Sequence, residues 1–96
     1  MKARITQSAL RDCVGILSWF EAQGNRAAGS ALVAQLLERI EQLECFLQSG
    51  RIVPEVQQSE LRELIELPFR LVYRLTSNSL TVIRIWRRER QRKLPD

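Results

Sequence analysis

The sequence predicts an α+β fold: an N-terminal strand and an antiparallel helical hairpin packed on a three- to four-stranded antiparallel sheet. Three observations predict it. Before residue 50 the apolar residues recur at helical spacing. After residue 60 they alternate, as on a pleated strand. Gly24, Gly50, Pro68 and the run Thr76 to Ser79 punctuate these stretches where turns belong. A helical hairpin alone leaves one apolar face wet, so the alternating half must supply the layer that covers it.

The run "KARIT" is short and alternating and reads as an edge strand. Thr6 can cap the helix that follows, its side chain accepting from a free N–H of the first turn. Leu10, Val14, Leu17 and Phe20 form one helical stripe, widened by Ile16 and Trp19. The run "QGN" ends that helix, because Gly24 tolerates the left-handed conformation a C-terminus often needs. A second helix is predicted from about Arg26 to Gln48, with Val33, Leu36, Leu37, Ile40, Leu43 and Leu47 as its stripe and Gly50 as its stop. Ala27, Ala28 and Ala31 make its start slim enough for close approach of the first helix.

Leu61 to Leu67 is the next predicted strand, broken by Pro68. The run "FRLVYRL" then places Phe69, Leu71, Tyr73 and Leu75 on one face and Arg70, Val72 and Arg74 on the other. After the turn, "LTVIRIW" has apolar residues on both parities, which suits an inner position in the sheet.

At 96 residues the chain suits a single domain, 1–96, with a basic C-terminal tail over 87–96. Its charge is uneven. Residues 1–68 hold seven basic and nine acidic side chains, net −2, while residues 69–96 hold eight and two, net +6. Such asymmetry points to an anionic partner. No run of 18 apolar residues occurs, so no membrane partner is expected, and the expected location is the cytoplasm. In the predicted hairpin Cys13 sits about 12 Å along the axis from Cys45. A disulfide needs Cα atoms within about 7 Å, so both are expected as free thiols packed like small apolar residues.

Enzyme chemistry is poorly provided for. The chain has no histidine, no phosphate-binding glycine loop and no metal-ligand spacing, so no catalytic residue, cofactor or metal is expected. Glu63 and Glu66 fall on opposite faces of one strand and cannot flank one bond. Tyr73, the one tyrosine, falls on the core side of its strand. Trp86 reads equally as a lid on the core or as an interface anchor. Arg70, Arg74 and Arg84 could form a basic stripe on the outer sheet face. That stripe suits a carboxylate-rich protein, internal pairing with Glu63 and Glu66, or nucleic acid, although the interleaved aromatics of single-strand readers are missing.

The ordered set "GRIVPE", "LREL", "PFRLVYRL", a polar turn, and "VIRIW" followed by basic residues resembles the ParE branch of the RelE/ParE toxin superfamily. Where relatives often carry a His-Gly pair after the last strand, this chain has Arg87 and Arg88. The resemblance implies the toxin half of a type II toxin–antitoxin pair that inhibits DNA gyrase. A ParD-like antitoxin would hold it silent in a hetero-oligomer, with no small-molecule substrate. A RelE-like, ribosome-dependent mRNA interferase is the alternative. Under the first reading Trp86, Arg87, Arg88 and Arg90 are expected at the target, and Arg70, Arg74, Arg84, Leu36 and Ile40 at the antitoxin.

Overall fold

The structure is a computed structural model that describes residues 1–56 and 58–87. Its elements are β1 (Ala3–Ile5), α1 (Gln7–Ala22), α2 (Arg26–Cys45), β2 (Arg51–Ile52), β3 (Leu61–Glu66), β4 (Phe69–Leu75) and β5 (Leu80–Arg87). The strands form one sheet in the order β1-β5-β4-β3-β2. Four are antiparallel neighbours, and β1 joins the far edge parallel to β5, with Ala3 opposite Leu80 and Ile5 opposite Val82. This is the α+β class the periodicities predicted, with β5 in the inner position its double-sided apolar pattern required.

The helix signals act as expected at the start of the hairpin. Thr6 Oγ1 accepts from Ala9 N at 3.0 Å, satisfying one of the free N–H groups of the first turn. Gly24 takes φ 73°, the left-handed conformation that releases the chain into the turn. Asn25 then caps α2, its Oδ1 accepting from Ala28 N. The end of α2 differs from expectation. It stops at Cys45 with Phe46 as its cap, so Gly50 is not the stop. Gly50 is required for another reason: a Cβ there would lie 2.6 Å from both Glu63 O and the Tyr73 hydroxyl.

The main core lies between hairpin and sheet. Leu36, Ile40 and Leu43 of α2 meet Leu64, Leu71, Tyr73, Leu80, Val82 and Ile85 of the strands. From α1, however, the core takes Ala9, Cys13 and Ile16. Part of the predicted stripe is turned outward, with Leu10, Val14 and Trp19 at 50%, 60% and 51% exposure, while Leu17 and Phe20 are half-buried and Ile16 packs on the core as predicted. The cause is tethering. Thr6 Oγ1 donates to Ile83 O and Asp12 accepts from Ile85 N. These bonds face the side of α1 that carries residues 9, 12, 13 and 16 toward the sheet.

A second, small core covers the outer sheet face, where Val53, Leu61 and Val72 pack with Val56 and Ile83. Neither cysteine is in a disulfide. Cys13 packs against the core as expected, but Cys45 is exposed at the end of α2. Among the described residues no helix is long and apolar enough to cross a membrane.

Candidate functional site

The arginines of the strands are not a bare stripe. Arg70 is buried, and its Nε donates to Glu63, which is 3% exposed. Its Nη2 lies 2.7 Å from Glu55 Oε2, an ion pair by distance although not aligned as a hydrogen bond. Arg51 reaches the same Glu63 at 2.9 Å. Burial works against ionisation of Glu55, but the close Arg70 guanidinium, a local backbone N–H and the charge of Arg51 outweigh it and hold its carboxyl below the ordinary value. This arginine–carboxylate network clamps the chain around Glu55 over the outer sheet face. Arg74 pairs with Glu60 at 3.3 Å. The pairing of Arg70 with Glu63 is the internal one the sequence allowed; Glu66 instead pairs with Arg39 of α2 at 3.6 Å.

Arg84 is held differently. Its Nε and Nη2 donate to the two Asp12 oxygens at 2.9 and 3.0 Å, a fork-to-fork pair. The Asp12 bond pushes the Arg84 pKa further up, against the opposing effect of burial. Asp12 Oδ2 also accepts from Ile85 N at 2.8 Å. β1 pairs only with Leu80–Val82 of β5, so the rest of that strand edge lacks a strand neighbour on this side. Thr6 and Asp12 supply side-chain partners there and blunt an edge that would otherwise invite strand addition.

The same pair orients an aromatic. The Arg84 guanidinium carbon lies 4.8 Å from the Trp86 ring centroid, and Trp86 is only 5% exposed. Arg87 lies 6.0 Å from the Trp19 centroid, and Trp19 packs edge-on against Phe20 at 4.9 Å. Between α1 and the second half of β5 runs an open groove of about 280 Å³. Ile16, Phe20, Phe69 and Ile85 supply its apolar lining, and Arg11, Asp12, Trp19, Arg84, Trp86 and Arg87 its polar and aromatic lining.

Tyr73 is sealed away from this groove. It is 0% exposed; its hydroxyl accepts from Gly50 N and donates to Leu47 O at 2.9 Å. Burial pushes the phenol pKa up, over the smaller opposing effects of the Gly50 bond and of Arg62 and Arg39. The expected core role of Tyr73 therefore holds, and it also pins the segment after α2.

Of the residues expected at partners, Trp86 and Arg87 meet at the groove, while Arg88 and Arg90 lie outside the described residues. Leu36 and Ile40, expected to meet the antitoxin, are core residues at 1% and 5% exposure. They hold the hairpin on the sheet and offer no surface. The exposed large apolar residues of the two helices are instead Leu10, Val14, Trp19 and Leu37. Sequence reasoning missed these as surface residues, and it missed Asp12 altogether. Its position i+6 from the Thr6 cap carries no motif; only the fold brings it to β5.

The family model described as "ParE toxin of type II toxin-antitoxin system, parDE" matches residues 3–92. The chain belongs to the ParE toxin family. It is thus the toxin component of a type II toxin–antitoxin system, a class whose partner is an antitoxin. A solved structure from the chromosomal ParDE toxin–antitoxin system of P. aeruginosa shares the ParE fold of this chain. The TM-score is 0.75 at 21% identity, over 91% of this chain and 95% of that one. No curated protein sequence matches this ParE-family chain.

Proposed function

We propose that this ParE-family toxin poisons DNA gyrase by contact, without chemical turnover, and that a ParD-like antitoxin silences it in a hetero-oligomer. The observation that carries the contact reading is the α1–β5 groove. Among the described residues lining it, Asp12 is the only carboxylate, and it is engaged by Arg84 and Ile85. Arginine stays protonated and is a poor proton shuttle. What the groove offers is an apolar floor and cationic walls, which suit a protein surface.

The antitoxin is assigned to the outward face of the hairpin. Leu10 and Val14, 50% and 60% exposed, stand at i, i+4 on α1, a spacing that an amphipathic partner helix reads, and Leu37 of α2 is 44% exposed. The groove, with Trp86 and Arg87, is assigned to the target. Purified protein should inhibit gyrase supercoiling or trap cleaved DNA at micromolar concentration, and an antitoxin encoded beside it should relieve the effect. Folded protein that leaves gyrase untouched at that concentration removes the target. Ribosome-dependent cleavage of a reporter mRNA, lost on Arg84→Ala, would establish the interferase reading in its place.

A further inference from the structure

Three residues of three different strands stand in one row across the sheet. Arg4 of β1 lies opposite Thr81 of β5, and Thr81 lies opposite Arg74 of β4. Each is flanked in sequence by two residues that pack in the main core: Ala3 and Ile5, Leu80 and Val82, Tyr73 and Leu75. Strand side chains alternate, so all three of the row point to the outer sheet face, away from the hairpin. Neighbouring strands lie about 4.8 Å apart, which sets Arg4 and Arg74 roughly 10 Å apart with the Thr81 hydroxyl between them. Lys2, also exposed, stands two positions before Arg4. The side chains of Lys2, Arg4 and Thr81 hold no hydrogen bond or ion pair among the described residues. Arg74 gives only Nη1 to Glu60, at 3.3 Å and with 31% and 53% of the two side chains exposed. So open a pair is weak, and a phosphate can displace it.

We propose that this row binds the phosphate backbone of duplex DNA. Lys2, Arg4 and Arg74 meet phosphate oxygens, and the Thr81 hydroxyl donates between the two arginines. Cations and hydroxyls are the side chains that hold a sugar-phosphate backbone. An acidic protein fits less well, because protein interfaces are anchored by apolar and aromatic side chains. Apart from Met1, the exposed large apolar residues lie on the helices, after α2, on β2 and in the β3–β4 turn. A single strand fits less well for a related reason. Strand readers stack bases on open aromatic rings. The exposed large aromatics here are Trp19 on α1 and Phe46 after α2, neither on this face. No residue of the row lines the α1–β5 groove, so the toxin can hold a protein target there and DNA here at once. The choice of DNA over RNA rests on the reading that the toxin acts on gyrase, where duplex DNA is at hand; the choice of a double-helical backbone does not.

Fluorescence anisotropy of a short labelled DNA duplex, titrated with the full chain between about 50 and 200 mM salt, tests the row. Arg4→Ala should weaken binding about fivefold at the lower salt. It should also flatten the slope of log affinity against log salt by about 0.9, the share of one phosphate contact. Arg26→Ala removes the same charge from the exposed start of α2, outside the row. It should leave affinity within about twofold and the slope unchanged. Arg74→Ala should cost less than Arg4→Ala, since Glu60 already engages one of its nitrogens. Should the Arg4 variant fail to fold, the backbone amide resonances of Arg4, Arg74 and Thr81 in the unaltered protein should move when duplex is added, and those of the exposed hairpin face should not. Several results overturn the proposal: no duplex binding at the lower salt, equal losses for Arg4→Ala and Arg26→Ala, tighter binding of a single strand or of duplex RNA, or displacement of the duplex by a glutamate peptide of equal charge. Duplex binding with gyrase untouched removes the target and leaves the row; gyrase inhibition without duplex binding removes the row and leaves the target.

Discussion

Replacing Asp12 with alanine tests how the groove is built. The change removes two hydrogen bonds to the Arg84 guanidinium and the acceptor of Ile85 N–H. The two losses differ in kind. Leaving a shielded backbone N–H without a partner costs about 1–3 kcal/mol. The ion pair lies between two limits: about 0–1 kcal/mol for an exposed pair and about 3–5 kcal/mol for breaking a buried one. Side-chain exposures of 29% for Arg84 and 14% for Asp12 place it in the lower half of that interval, at about 1–2 kcal/mol. Together these give about 2–5 kcal/mol.

Urea unfolding followed by circular dichroism reads this loss. With a mid-range slope of about 2 kcal/mol per molar urea, the midpoint should fall by roughly 1–2.5 M. Asp12→Asn keeps an oxygen for Ile85 N–H and loses the charge, so it should cost about half as much. A double-mutant cycle with Arg84→Ala should return a coupling of about 1–2 kcal/mol. The reasoning is refuted if Asp12→Ala shifts stability by less than about 0.5 kcal/mol, the range of an ordinary surface change. It is equally refuted if the two alanine changes simply add.

Gly50→Ala should destabilise the fold by about 2–4 kcal/mol in the same assay, because its Cβ would meet the Glu63 carbonyl and the Tyr73 hydroxyl at 2.6 Å; a neutral result would mean that the segment after α2 yields freely. Tyr73, the only tyrosine, has a folded-state pKa raised above its unfolded value. Its contribution is therefore fully present below about pH 10 and is lost as the pH rises through the folded pKa. Absorbance at alkaline pH should show its ionisation only together with unfolding, not before it. Cys45 should react rapidly with a disulfide reagent and Cys13 slowly, because burial, aided by the Asp12 charge, raises the Cys13 pKa; a single fast phase for both thiols would contradict the packing. Leu10→Glu and Val14→Glu should leave stability within about 0.5 kcal/mol yet weaken antitoxin binding at least tenfold by calorimetry; unchanged binding would move the antitoxin off the hairpin face.

The elements were legible in the sequence because each rests on local signals. Periodicity located both helices and the three long strands, and Gly24 and Pro68 marked their turns. The rotation of α1 was not legible. Leu10-Val14-Leu17 and Ala9-Cys13-Ile16 are both valid helical stripes, and apolar content favours the first. The choice was made by Thr6 and Asp12 bonding to residues more than 70 positions away. For the same reason Leu36 and Ile40 could not be told from interface residues, since a core stripe and a docking stripe share one spacing. Gly50 likewise read as a helix stop because the Tyr73 hydroxyl above it is visible only in the fold.

Charge shows the same division between local and non-local information. The +6 of residues 69–96 is a sum, and a sum does not distinguish engaged arginines from available ones. Arg70, Arg74 and Arg84 each hold a carboxylate from elsewhere in the chain. Those bonds anchor the segment at Glu55 and Glu60 to the sheet and α1 to β5. Such pairs are nearly neutral at a distance, so the long-range field that steers an acidic partner inward is set by the net +4 of the whole chain. They contribute less to the docked contact, where a new partner would first have to displace an aligned carboxylate. Arrival and grip are thus separate properties of this toxin. The first depends on the net charge of the whole chain, and the second on exposed groups such as Arg11, which lines the groove without a described carboxylate partner.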